Sequence, residues 1–256
     1  RTYGQNRGTN WGCYDFNIHT DIFWLFAIEY ATLNSQKAFN ANLDASGYHQ
    51  GGLGNGVVNS LNWNEYNSLN PLVPCGFTNS LGNQTGVKTF TLSEAQAAAY
   101  GSEHSESVPS YRGIENPFGH IWKWSDGFLG VGDGTKQAYY MSRTRAQYAS
   151  ALNDSYVKVG ESAGANGYLK AIIGSVQSMA QTQRNYGDIL ARDVTGSAST
   201  YFCDYTYESH SNGTVCGAHV GGCADLGTTA GLACVNSVFA PALTYASIGS
   251  RLCWQK

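Results

Sequence analysis

The stretch GGCADLGTTAGLACVNSVFAPALTYASIGSRL, residues 221–252, sets glycines, an Ala-Pro pair and an Ile-Gly-Ser-Arg-Leu ending around a very different filling. Between them stand Cys223, Asp225, Leu226, Thr228, Ala233, Cys234, Val238, Phe239, Leu243, Thr244 and Tyr245. These positions follow neither the 3.6-residue period of an amphipathic helix nor the alternation of a half-buried strand. A strict frame therefore carries an arbitrary filling, and the rest of the chain has to be read with that in view.

The 256 residues are 42% hydrophobic and 13% aromatic but only 13% charged, with 31 glycines against 5 prolines. Such a chain can bury a sizeable core, while its surface must rely on Asn, Ser, Thr, Gln and Tyr rather than on ions, as binding surfaces do. The 15 Lys and Arg are scattered on a net charge of −3. No basic footprint for a phosphate backbone results, so nucleic acid is not expected as a partner. The longest apolar stretch, DIFWLFAIEYA at 21–31, is interrupted by Glu29 and falls short of the ~18 residues that suggest a bilayer span, so no direct membrane insertion is expected. The sequence starts at Arg1 with no methionine or signal-like segment, and residues upstream are expected to be missing. Seven cysteines (13, 75, 203, 216, 223, 234 and 253) show neither the even count of a disulfide framework nor the paired spacing of a zinc site. Free thiols are expected, with no metal and no cofactor.

HTDIFWLFAIEYATLNSQKAF offers Thr20 and Asp21 as caps and a broad apolar face, which predicts a core helix over 21–38. Residues 44–90, rich in Gly, Asn and Ser, read as long loops with short strands, and TLSEAQAAAYG at 91–101 reads as a second helix with Thr91 or Ser93 as its cap. Beyond it come aromatic, β-prone runs punctuated by glycine: YRGIENPFGHIWKWSDGFLGVGDG, KQAYYMS, SYVKVG, GYLKAII and STYFCDYTY. Two early helices followed by many short strands predict an α+β fold with an irregular antiparallel sheet and long loops. No repeat or linker divides the chain, so 1–256 reads as one domain.

YFCDYTY, VGG, G..AGL, AP and IGSRL together resemble the variable region of proteins diversified by retroelements, the phage and bacterial ligand-binding proteins of C-type-lectin type (formylglycine-generating-enzyme-like subtype). RGTNWG, IEYATLNSQ and YRGIENPFGHIWKWSDGF resemble the scaffold of gut-phage and Bacteroidales-type members. In that family a reverse transcriptase copies a template with errors at adenines, so some codons become almost anything while a frame persists. The resemblance implies a scaffold over 1–200 and a variable region over 201–256. It implies a non-enzymatic receptor-binding protein of a virion tail or bacterial cell surface, whose partner is a protein or cell-surface receptor. Homo-oligomers would add avidity. The changeable positions would be Thr206, Glu208, Ser209 and His210 together with the eleven named above. The frame would be Asp204, Tyr205, Gly221, Gly222, Gly227, Ala230, Gly231, Leu232, Ala240, Pro241, Ile248, Gly249, Arg251 and Leu252, with Leu232 and Ile248 anchored in the core and Arg251 bonding buried carbonyls. The exposed filling would then be mainly apolar, with Asp225 and Glu208 as polar points.

Enzyme chemistry has weaker signals. GESAG at 160–164 centres Ser162 in a G-x-S-x-G, and Asp188 or Asp193 with His210 or His219 follows in triad order. The upstream chain nevertheless lacks the strand–helix alternation of a hydrolase sheet, and Asn166 with Gly167 makes a poor elbow helix. Formylglycine-generating oxidases share a GG…GFR-like frame, but Cys216 and Cys223 stand seven apart and GSRLC replaces GFRC. Asp126 and Asp133 alone are too few oxygens for a calcium site.

Overall fold

A computed structural model describes residues 1–38, 75–91, 105–174, 187–245 and 247–254. In chain order the described elements begin with α1 (Thr2–Gln5), β1 (Trp11–Cys13), α2 (Phe16–Tyr30), β2 (Gly86–Thr91), β3 (Ser105–Tyr111), β4 (Ile114–Glu115), β5 (Trp122–Gly132) and β6 (Gln137–Met141). They continue with β7 (Val157–Glu161), β8 (Gly167–Tyr168), β9 (Ala171–Ile172), β10 (Ala191–Asp193), β11 (Tyr205–Glu208), β12 (Val215–Val220), β13 (Val235–Ser237), β14 (Ile248–Gly249) and β15 (Leu252–Trp254). This is a mixed α+β fold dominated by sheet, and the aromatic runs supply its strands. The largest sheet among the described residues has the order β7-β6-β5-β12-β13-β11-β8, with β14 beside β5.

The core helix starts five residues before the expected boundary. Asp15, in extended backbone, caps it by accepting from the Ile18 amide at 2.9 Å, so Phe16 and Asn17 join the first turn and Thr20 lies inside. It ends at Tyr30 because Ala31 turns left-handed (φ 50). A separate 3-10 turn, Ser35–Ala38, follows, with Asn34 Oδ1 taking the Gln36 amide at 3.0 Å. The helix expected over 91–101 lies outside the described residues except for Thr91, which ends β2. Of the expected loop segment 44–90, residues 75–90 are described and hold a 3-10 turn, Asn79–Leu81, and most of β2.

The main core lies between α2 and the inward face of the large sheet: Phe16, Phe23 and Phe26 meet Phe128, Tyr139, Ala218, Val220, Leu232 and Val235. Two C-terminal strands, β14 and β15, close the structure. β15 pairs with β1, and β14 runs parallel to β5. The segment that carries the frame and its filling therefore supplies strands at the centre of the sheet, β12 and β13, and not merely an appended tail.

Candidate ligand-binding face

Alternation along the strands splits the C-terminal segment between two faces. On β11, Thr206 and Glu208 point into the core, and Glu208 accepts the Tyr139 hydroxyl at 3.1 Å and meets His210 Nε2 at 2.9 Å. Tyr205 and Tyr207 point outward and are half-buried. The register then sets Tyr207, Asn236, His219 and Trp124 side by side across β11, β13, β12 and β5. Ring contacts extend this row: Tyr168–Tyr205 at 5.1 Å, Tyr205–Tyr207 at 4.7 Å, Tyr207–Trp122 at 6.1 Å and Trp124–His219 at 3.8 Å between centroids. An aromatic floor therefore crosses the sheet on the side away from the main core. Trp124 lies along it because Gly217 has no side chain, and a Cβ there would stand 2.6 Å from the indole Cζ3.

Two connections rim this floor. The 3-10 segment Ala224–Thr229 carries Leu226 and Thr228, both half-buried, and the Thr228 hydroxyl is 3.1 Å from that of Tyr168. Tyr207 donates to Thr229 Oγ1 at 3.3 Å. On the other side runs the loop 238–245. Its backbone is pinned: Gly217 donates to the Phe239 carbonyl at 3.0 Å, Trp124 Nε1 to the Leu243 carbonyl at 3.1 Å, Leu243 to Ala240 at 3.0 Å and Ile248 to Tyr245 at 3.0 Å. Its side chains nevertheless face water. Phe239, Thr244 and Tyr245 are exposed, Tyr245 by 61%, while Val238 and Leu243 are half-buried. Ser209 and His210 are half-buried near the start of the β11–β12 connection.

Five of the positions expected to touch a ligand are not exposed. Thr206, Glu208, Cys223, Ala233 and Cys234 are all buried. Thr206 and Glu208 are one residue out of register with the outward set, and a one-residue slip turns a strand's side chain to the opposite face. Glu208 is a core acceptor, not an exposed polar point. Cys223 and Cys234 pack with Trp122 in a small cluster beneath Tyr207, Leu226 and Ile248. Conversely Tyr205, expected in the frame, and Tyr207 and Trp124, expected in neither group, belong to the outward row. The alternation in YTYE was the available signal. The side chain of Asp225 lies outside the described residues.

The frame is built by buried polar bonds. Asp204, fully buried, accepts the Ala233 amide at 2.7 Å, and burial pushes its carboxyl well above the usual range. The Leu232 amide donates to Ser35 Oγ at 2.8 Å. His19 Nε2 lies 2.8 Å from the Leu232 carbonyl, and its Nδ1 2.8 Å from the Tyr14 hydroxyl. Burial holds this imidazole down at about 3, so it is neutral at neutral pH, with Nε2–H donating to Leu232 and Tyr14 donating to Nδ1. Leu232 is buried in the main core, whereas Ile248 is half-buried against the Trp122 cluster and Leu252 is exposed. Arg251 Nη2 donates to the carbonyls of Glu115 and Asn116. Gly221 and Gly222 hold φ of 88° and 74°, a region that favours glycine.

Ser162, Asp188, Asp193 and His210, the residues of the alternative hydrolase chemistry, are bonded to other partners. Ser162 is buried at the end of β7, and its Oγ accepts the Gln137 and Gly164 amides at 2.9 and 3.2 Å. A turn and the short β8 follow it instead of an elbow helix. Asp188 is held by Arg143 through bonds of 3.0 and 2.6 Å, Asp193 caps Thr195 at 2.8 Å, and His210 faces Glu208. Among the described residues no cysteine is joined in a disulfide. Among the described residues no three His, Cys, Asp or Glu side chains are grouped to hold a metal ion, and no helix is long and apolar enough to cross a membrane. No protein-family model matches the chain, and no curated protein matches it in sequence.

Proposed function

We propose that this chain is a ligand-binding protein of the retroelement-diversified class, with a C-type-lectin-like fold whose C-terminal segment presents a changeable surface to a protein or cell-surface receptor. The observation that carries the reading is the loop 238–245: its backbone is fixed to the sheet by hydrogen bonds while Phe239, Thr244 and Tyr245 are exposed. A surface so arranged can change its side chains without unfolding, and it loses little ordering entropy on binding. Its filling is apolar and aromatic, which suits a protein or mixed target rather than a phosphate-rich one. Display on a virion tail or a bacterial surface, in several copies, would turn weak single contacts into tight ones.

Sequencing the encoding DNA of several siblings from one culture tests this directly. Substitutions confined to template adenines are expected, and they should fall on outward positions such as Tyr207, Phe239, Thr244 and Tyr245 while sparing Ala233 and Cys234. An invariant segment with no near-duplicate template would remove the proposal.

The same geometry sets an expectation for single variants. Tyr245→Ala should leave the melting temperature within about 2 °C of wild type, because an exposed side chain outside any network contributes within ~0.5 kcal/mol. Retention of labelled protein on intact bacterial cells that bind the wild type should fall at least about tenfold if Tyr245 is a central anchor. Melting that drops by many degrees would place the ring in the core instead.

A further inference from the structure

His219 is an anomaly beneath the binding loop. Its side chain is fully buried, yet among the described residues neither ring nitrogen has a hydrogen-bond partner. The ring lies 3.8 Å from Trp124, 6.2 Å from Trp122 and 5.8 Å from Phe239, centroid to centroid. A phenyl ring would fill this place without leaving two polar atoms unsatisfied, which ordinarily costs stability. No charged group among the described residues compensates it. The groups that face it from β5 are the two indoles, from the loop Phe239, and along the row Asn236 and Tyr207; of these only Tyr207 titrates, and burial pushes its phenol up. Lys123, between the tryptophans, points to the inward face, where its Nζ donates to the Pro117 carbonyl at 3.3 Å.

Two contacts of this ring also hold the loop. Trp124, the ring nearest His219, donates to the Leu243 carbonyl, and Phe239, whose carbonyl takes the Gly217 amide, lies tilted against the imidazole. An imidazolium formed here gains water where Phe239 and the backbone of 238–245 lift away from it. We propose that His219 is an acid-operated latch: protonation of its buried ring releases the loop 238–245 from the sheet and disassembles the binding face. The device regulates the site assigned above and in that respect rests on the binding reading; the loop motion itself does not.

The sign follows from burial. With the loop closed, burial alone holds the ring down at about 4, against an ordinary value of 6.5. The closed form therefore favours the neutral ring, and closure weakens as pH falls below 6.5 until the closed form itself titrates. From pH 7.5 to pH 5 the open population should rise about thirtyfold.

Hydrogen exchange, corrected for the intrinsic pH dependence of the chemical step, tests this on the whole protein without a ligand. The amides of Gly217, Leu243 and Ile248 should lose protection by roughly that factor at pH 5, while far-UV circular dichroism and the protection of β6 stay unchanged. In His219→Phe the loop's protection should become independent of pH. The same pH response in His219→Phe, or none in the wild type, would overturn the latch. Should that variant fail to fold, NMR titration of the wild-type ring decides: a His219 midpoint near 6.5 in the folded protein refutes it, and a strongly depressed one supports it. Receptor binding that fails in every variant at every pH, with the loop still opening in acid, would count against the binding reading alone.

Discussion

Gly231→Ala is expected to melt about 8–16 °C below the wild type, or not to fold. A Cβ built on Gly231 would overlap the Asp204 carboxylate, striking its carbon and both oxygens. Asp204 has nowhere to go. It is fully buried, one oxygen holds the Ala233 amide at 2.7 Å, and the other has no partner among the described residues. Overpacking of this kind costs about 1–3 kcal/mol, and pushing the carboxylate off the Ala233 amide strands a buried donor at a further ~1–3 kcal/mol. Together these give about 4 kcal/mol, which at ~2–4 °C per kcal/mol for a chain of this size sets the expected drop. Gly86→Ala in β2 is the control. The added methyl would meet only Leu81 at 3.6 Å, so thermal denaturation should show no loss and a gain of up to about 1 kcal/mol. A double variant with Asp204→Ser should recover part of the Gly231→Ala loss, because the shorter side chain makes room and neighbouring sites are not additive. Unchanged melting in Gly231→Ala would show that the frame is not rigid where the frame reading most requires it.

The α+β character and most strands were legible in the sequence because their signals are local. Aromatic and β-branched runs between glycines became β5, β6, β7 and β11, and Leu232 and Arg251 serve as anchors through their own chemistry. What sequence reasoning missed depended on register. The segment DYTYESH holds alternating residues of both kinds, and nothing in its composition says whether the tyrosines or Thr206 and Glu208 face the core. Pairing with β13 and β8 decides it, since Thr206 stands opposite both Val235 and Gly167. The buried cysteines show the opposite limit. Cys223 and Cys234 interrupt any regular period, yet they lie against Trp122 because the 3-10 segment after Gly222 folds back over the sheet. Aperiodicity marks an irregular connection as readily as a changeable surface, and only burial separates the two. The early helix start has a similar origin. Asp15 caps across an apolar Phe16, which hides the boundary from a search for a polar residue directly before the apolar run.

Arg251→Ala should be the second large effect, with a loss of about 3–4 kcal/mol. The guanidinium is mostly buried and faces carbonyls: Nη2 donates to Glu115 and to Asn116, the latter at 3.0 Å. Asn116 is itself left-handed (φ 47), and its amide donates to Pro109 at 2.7 Å. One side chain therefore ties the C-terminal strands to the β3–β4 hairpin, while its backbone carbonyl accepts the Tyr14 amide at 2.8 Å beside α2. Burial lowers the Arg251 pKa from its usual value, but the starting point of 12.5 leaves it charged at neutral pH. A hydrogen bond to a charged group contributes about 1.5–3 kcal/mol, and two carbonyls would lose their donor at once. Arg251→Lys keeps the charge but not the planar fork, so it should fall between Ala and wild type. Chemical denaturation read at the folding midpoint separates the three. The comparison that matters is with Tyr245→Ala, six residues upstream in the same segment: one variant should unfold the domain without having touched a ligand, the other should cost binding without melting it. If Arg251→Ala is as stable as Tyr245→Ala, the C-terminal segment has no frame, and its glycines and arginine are ordinary surface sequence.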